Sequence, residues 1–337
     1  MSASSTITRE AAREIARSGA HRLAAMVKPD GTFVYRLHNA AVLPGYNLFR
    51  HCGAAWAIAE ISRQLGDADG DAAAAARAMR YVIEKRLKPK NGGLCISAGR
   101  ITRLGGTGRA MLALLALDAI DPDRVFRTRA EALGTFILSC RRPDGGFDQK
   151  MEVRGKTVIE LRADDHAGEA LFALARLHEV TGARPPLTGA MDSVARLRQR
   201  GFGVEDQNHW MVLALATLHR ATGEAELAAQ AGEICRAILE RPRYRQKGET
   251  LPLAGRTQAL TAYAGMLIRS PWPGGAPAGA PGASDAMAAA AENLDRLLAH
   301  RLDDGSFVGG RNLPEIRIDY IQSAALAFLG FAAALEN

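Results

Sequence analysis

The sequence is short of cysteine, aromatics and long apolar runs. Its 337 residues hold four cysteines, Cys52, Cys95, Cys140 and Cys235. They stand far apart, without a Cys-x-x-Cys pair or other metal-binding spacing, and so read as buried free thiols. No apolar stretch reaches the roughly 18 residues of a membrane-spanning helix. Residues 1–19 carry Thr8, Arg9, Glu10, Arg13 and Glu14 where a secretory signal would be apolar. The expectation is a soluble, cytoplasmic protein.

The formal net charge is +7. Nucleic acid is not the expected partner, because the Lys and Arg form no single basic run interleaved with aromatics. The densest group, 241–247, holds one aromatic, Tyr244. A positive cleft for an anionic substrate explains the charge as economically. Hydrophobic residues make up 47% of the chain, enough for a large core, and the Ala runs at 73–76 and 288–291 favour helix.

A phrase recurs in which an acid or amide precedes glycine and then an apolar anchor. It reads Asp30-Gly31-Thr32-Phe33, Asn91-Gly92-Gly93-Leu94, Asp144-Gly145-Gly146-Phe147 and Asp304-Gly305-Ser306-Phe307. A unit of about fifty residues signals a repeat architecture. Twelve amphipathic segments follow the i, i+3/i+4 pattern, at 6–27, 45–65, 69–87, 105–119, 123–141, 165–181, 186–199, 207–221, 224–240, 256–269, 282–300 and 319–335. Asp165 can cap the sixth, Thr222-Gly223 closes the eighth and Pro242 follows the ninth.

Links alternate in length. After 45–65, 105–119, 165–181 and 207–221 they are short, as in antiparallel helical hairpins. Most of the others are long and hold the glycine phrase or an equivalent, and stretches 32–37 and 156–161 could form small β-hairpins. Segments that follow long links are rich in Ala, Gly and Leu on most faces, which implies burial all round. The alternate segments carry more charge.

This pattern resembles the α/α toroid in its six-hairpin, glycosidase-like form. The resemblance covers nearly the whole chain. It implies an all-α (α/α)6 toroid, one domain over residues 1–337, with short β-hairpins in the long loops at one end. Toroids include glycoside hydrolases, polysaccharide lyases, sugar epimerases, lanthionine cyclases, terpene cyclases and prenyltransferases, so fold does not decide function. The Cys-His-Gly run of lanthionine cyclases is absent. The Asp-x-Asp-Asp acid motif of class II terpene cyclases is absent too; Arg162-Ala163-Asp164-Asp165 lacks its first aspartate. Aromatics, at 6%, are also too few for a carbocation-lining cavity.

In such a toroid the starts of the inner helices share one end, and their free N–H groups add positive potential there. Polar residues gather at these starts. The sharpest group is Asp164-Asp165-His166 with Glu169, where crowded carboxylates would suit a general acid beside a general base. Asp165 and Glu169 are equally the acids that a helix start favours for capping and dipole reasons. A second acid could come from Asp206 or Asp319, with His209 or Tyr320 as alternatives for moving a proton. Tyr46, Asn47, Arg50, His51, Arg109, Asn208, Trp210, Arg256 and Gln322 complete the candidate substrate-binding set. Arg100, Arg103, Arg311 and Arg317 lie in or beside the same end. A zinc ion held by His51, His166 and His209 is conceivable, but no ligand signature supports it. No cofactor or metal is expected.

The leading expectation is a carbohydrate-active enzyme that acts on a uronate-type sugar or oligosaccharide by acid–base catalysis. Hydrolysis, elimination and epimerisation stay open. The alternatives are a non-catalytic toroid that binds an acidic ligand or partner, and a terpene-cyclase- or prenyltransferase-like enzyme acting on a diphosphate.

Overall fold

The computed structural model describes residues 7–155, 157–159, 166–270, 272 and 275–336. The first elements are α1 (Arg9–Ala25), β1 (Arg36–His38), β2 (Ala41–Val42), α2 (Leu48–Leu65) and α3 (Asp71–Lys85). Next come β3 (Leu87–Lys90), β4 (Gly93–Ala98), β5 (Ile101–Arg103), α4 (Leu104–Ile120) and α5 (Arg124–Ser139). β6 (Lys150–Glu152), α6 (Ala167–Thr181), α7 (Arg184–Gln199), α8 (His209–Thr222) and α9 (Ala225–Glu240) follow. The chain ends with α10 (Arg243–Lys247), α11 (Thr250–Arg269), α12 (Ala283–Leu298), β7 (Val308–Gly310), β8 (Leu313–Arg317) and α13 (Ile318–Ala334).

All twelve segments expected from periodicity are helices. α10 is an addition, formed by the basic group at 241–247. α11 starts six residues before the expected 256, because Pro252 sits in its first turn, where a missing N–H breaks no helical bond. Arg256 therefore lies in the second turn and not at the start. The N-cap position of α6 is His166, and Asp165, the expected cap, lies outside the described residues. Of the other ends, the sequence marked Thr222-Gly223 and Pro242, and Asn47 and Asp123 are further caps. Asn47 accepts from the N–H groups of Phe49 and Arg50, and Asp123 from Val125. Gly182 and Gly223 close α6 and α8 at φ 70° and 73°.

The alternation of burial is also as expected. Fourteen of the 17 residues of α4 are buried, against six of the 16 in its hairpin partner α5. No helix among the described residues is long and apolar enough to cross a membrane.

The chain forms two compact units. One comprises Ala24–Val34 and Gly45–Phe202. It holds the hairpins α2–α3, α4–α5 and α6–α7 and a sheet of order β3-β4-β5-β6, antiparallel throughout. Helices α2, α4 and α6 pack in succession. Trp56 of α2 meets Phe172 of α6 at 6.0 Å between ring centroids. Glu60 of α2, buried, pairs with Arg63 and reaches Arg176 of α6 at 3.8 Å.

The other unit comprises Met1–Leu23, Tyr35–Pro44 and Gly203–Asn337. It holds α1, the hairpins α8–α9 and α11–α12, α13, and a sheet of order β2-β1-β8-β7. α11 packs on α8, α12 and α13, and Gly19 of α1 lies against Ala325 of α13. Of the two stretches expected as hairpins, 32–37 contributes only the start of β1, while Phe33 bridges back to Val27. In 156–161, Val158 bridges to Met151, and residues 156, 160 and 161 lie outside the described residues.

The four glycine phrases divide into three and one. Gly31, Gly145 and Gly305 adopt φ 83°, 85° and 82° in turns that follow α1, α5 and α12. In each, the aspartate accepts the N–H two residues on, and the phenylalanine is buried and bridges back to the helix end. Each of these glycines also lies against the backbone of another helix. A Cβ would meet Arg77 O of α3, Ser193 O of α7 and Ser18 O of α1 respectively. Asn91-Gly92 is instead the two-residue turn of the β3–β4 hairpin, with φ 49° and 76°.

Candidate active site

The sharpest polar group lies in the unit that contains α2 to α7. Glu169 stands in the first turn of α6 and is 3% exposed. Its Oε1 accepts from Nε of Arg109 on α4 at 2.9 Å and from a second Arg109 nitrogen. Its Oε2 faces Nδ1 of His166 at 2.8 Å. Burial alone would raise this carboxyl. The charge of Arg109 and the hydrogen bonds from His166 and Arg109 outweigh it and hold the group down at about 2. Glu169 is therefore a carboxylate at any physiological pH and cannot serve as a general acid.

A carboxylate only accepts, so His166 carries a proton on Nδ1, and in the neutral imidazole the lone pair is then on Nε2. No hydrogen bond occupies Nε2 among the described residues, and a quarter of the side chain is exposed. Gln149 Oε1 accepts the His166 backbone N–H at 3.2 Å and so fixes the helix start.

Two glycines make the arrangement possible. A Cβ on Gly105 would fall on Glu169 Oε2 and His166 Nδ1, and one on Gly106 would fall on the ring of Phe49. The guanidinium of Arg103, the residue before α4, stands 5.5 Å from the Phe49 ring centroid. A signal that could have found this group is the Gly105-Gly106 pair at the start of an apolar helix. Glycine weakens helix, so its presence there marks a close approach. Phe49 and Gln149 carried no such signal.

His51 and Tyr46 form a different group in the same unit. His51 is fully buried on α2. Its Nε2 lies 3.0 Å from Ala78 O, and its Nδ1 2.5 Å from Tyr46 Oη. Nε2–H thus donates to the carbonyl, and Tyr46 donates to Nδ1. Burial is the main cause that lowers His51 to about 4, with the Arg86 charge acting in the same sense. Both ring nitrogens are spent inside the protein. His51 is a core histidine that ties the loop before α2 to α3, and neither a substrate-binding residue nor a zinc ligand. Asn47 spends its carbonyl on the α2 cap, and Arg50 is half-buried beside it. Asp164 and Asp165 lie outside the described residues.

The unit that contains α8 to α13 holds the remaining candidates in two groups. Asn208 caps α8 through Met211 N–H and donates to Asp206 at 3.1 Å. Arg256 donates to Gln207 Oε1 and Asp206 O, both at 3.2 Å, and lies 5.4 Å from the Tyr244 ring centroid. His209 packs on the buried Trp210 at 5.0 Å between ring centroids. In the second group, Arg317 grips Asp319 with two hydrogen bonds of 2.6 and 3.0 Å and stands 4.1 Å from the Tyr320 ring centroid. Gln322, 3% exposed on α13, leaves its Oε1 without a partner among the described residues. Asp319 is thus matched by a cation. The acids whose pKa shifts, Glu10, Asp30, Glu60, Asp144 and Glu169, all shift down.

All four cysteines are buried and free, as composition implied.

No family model matches the sequence, and no curated protein matches it significantly. Solved structures do. The α-1,6-mannanase GH76A of Salegentibacter sp. superposes with a TM-score of 0.72 at 12% identity, over 96% of this chain and 99% of that one. Cellobiose 2-epimerase of Bacillus thermoamylovorans gives 0.71 at 11% identity, over 94% and 98%. A D-mannose isomerase gives 0.68 at 12% identity, over 94% and 97%. At such identities the likeness shows the fold alone, an α/α toroid.

Proposed function

We propose that this protein is a carbohydrate-active enzyme that moves a proton on an open-chain sugar, as an epimerase or isomerase does. The observation that carries this reading is the chain Arg109–Glu169–His166. It holds one imidazole in a fixed tautomer with Nε2 as a base, by the same means that a buried carboxylate orients a catalytic histidine in other enzymes. In the proposed step, Nε2 of His166 takes the proton from the carbon next to the sugar carbonyl. The electron pair of that C–H bond becomes a C=C bond as the carbonyl π pair moves onto its oxygen, giving an enediolate. Return of a proton to the same carbon on the opposite face restores the carbonyl and gives the epimer; return to the former carbonyl carbon, with the neighbouring hydroxyl proton passing to the former carbonyl oxygen, gives the isomer. Arg103, held over Phe49 and without a carboxylate partner among the described residues, supplies positive charge for the enediolate oxygen. An acidic sugar fits the same charge. The reactions named for two of the structural relatives, a 2-epimerase and an isomerase, support this class.

A second reading has a specific observation behind it. The mannanase is inactive in a variant with two adjacent aspartates replaced. This chain has an adjacent pair, Asp164-Asp165, ahead of α6. Hydrolysis would need one carboxyl protonated and one ionised. A panel of mannose, glucose, cellobiose, mannobiose and uronate-containing sugars separates the two. Proton transfer gives new epimers or ketoses without new reducing ends, and Asp164→Asn with Asp165→Asn leaves it measurable. New reducing ends that vanish in that double variant would establish hydrolysis instead.

A further inference from the structure

We infer that the β3–β6 sheet carries a binding site for a small organic phosphomonoester. A cavity of about 490 Å3 opens on it, lined among others by Lys88, Ser97, Arg100, Glu152 and Arg154. This volume falls within the roughly 300–1,000 Å3 of pockets that enclose small organic ligands.

The framework is set by strand pairing. Gly99, at φ 68°, turns β4 into β5 and places Arg100 at the tip. Val153 N–H donates to Arg100 O at 2.8 Å, which brings the end of β6, and Arg154 after it, beside that tip. Lys88 stands on β3 opposite Cys95 of β4. Ser97, 4% exposed, donates its hydroxyl to Gly99 O at 2.6 Å and stiffens the turn.

Charge then selects the ligand. Elsewhere arginines hold carboxylates, as Arg109, Arg127 and Arg317 do. Among the described residues, Lys88, Arg100 and Arg154 hold none, although Glu152 lines the same cavity. Three cations against one carboxylate leave two positive charges. A phosphomonoester carries about −1.5 to −2 at neutral pH and offers three acceptor oxygens, which the forked donors of arginine match. The cavity is larger than one phosphate group requires, so the phosphate is a handle on a polyol or sugar body. This inference does not depend on proton transfer by His166.

Calorimetric titration in 50 mM salt tests it, with glucose 6-phosphate, inorganic phosphate and glucose as probes. The sugar phosphate should bind saturably, and inorganic phosphate at least tenfold more weakly. Glucose at the same concentration should not compete with the sugar phosphate. Arg100→Gln and Arg154→Gln should each weaken sugar-phosphate binding by about tenfold or more, the scale of a lost charge-assisted hydrogen bond. Higher salt should weaken it too. Both arginines are exposed, and far-ultraviolet circular dichroism checks that the variants fold. His166→Gln should bind as wild type does. Absence of saturable sugar-phosphate binding, equal affinity for inorganic phosphate, affinity retained in the double arginine variant, or affinity lost in His166→Gln would each overturn the site.

Discussion

At the scale of single residues, burial decides roles that residue type leaves open. Glu169 and His51 both stand near helix starts and both read as candidate site residues. Glu169 meets a cation and an imidazole and becomes a permanent anion; His51 meets a carbonyl and a phenol and becomes a permanent neutral. Gly105 is the sensitive point of the first group. An alanine in a helix is ordinarily about 1 kcal/mol better than glycine. Here its methyl would displace Glu169 and His166. Gly105→Ala should therefore lower stability in urea rather than raise it, and should cut turnover by about a hundredfold, the scale of a 1 Å misplacement. His51 gives a pH prediction. Its pKa in the folded protein is about 4, below the ordinary 6.5, so the unfolded chain binds the proton more readily. The stability it contributes is complete above pH 6.5 and is lost as pH falls towards 4, by about 3 kcal/mol at most. Urea unfolding between pH 7.5 and 4.5 should show a smaller loss in His51→Phe than in wild type. Equal slopes would show that His51 is not the group responsible.

At the scale of elements, the turns after α1, α5 and α12 repeat one device. Aspartate closes the turn, glycine takes a positive φ against a neighbouring helix backbone, and phenylalanine plugs the core. Gly182, the C-cap of α6, shares the positive φ, at 70°, but has open space where a Cβ would go. Alanine at Gly182 should cost about 1–2 kcal/mol for the left-handed backbone alone. Alanine at Gly145 bears the same strain and also meets Ser193 O and Arg196, so it should cost at least 1 kcal/mol more. Equal losses in urea unfolding would mean that the turn does not lean on α7. These elements were largely legible in the sequence because their causes are local. Periodicity shows a helix, Gly223 shows an end, and an all-apolar stretch such as α4 shows burial. The start of α11 was less legible, since Pro252 reads as a break when it can equally open a helix. The site was half legible. Helix starts located Glu169, His166 and Arg109, but their joining depends on Gly105 meeting a residue 64 positions away, and spacing along a chain carries no such information. Nor could spacing tell that Asn47 and Asn208 are caps, or that Arg317 would claim Asp319.

At the scale of the whole molecule, the fold does not decide the chemistry, which has to be read from side chains. The chain passes between its two units at four places, one of them within α1. On this ground we propose that residues 1–337 form one domain. A single calorimetric transition with equal calorimetric and van't Hoff enthalpies is expected; two separable transitions would contradict it. The central claim is that Glu169 makes His166 a base for a carbon-bound proton. The most direct measurement is deuterium incorporation in D2O, followed by proton NMR at the carbon next to the carbonyl of mannose, glucose, cellobiose and a reducing-end uronate. Wild type should exchange that proton with at least one of these sugars. His166→Gln should slow exchange by about a hundredfold or more, in keeping with loss of a general base, and Glu169→Gln should slow it while shifting its pH dependence. Exchange that persists unchanged in His166→Gln, or no exchange with any of the four, would contradict the claim.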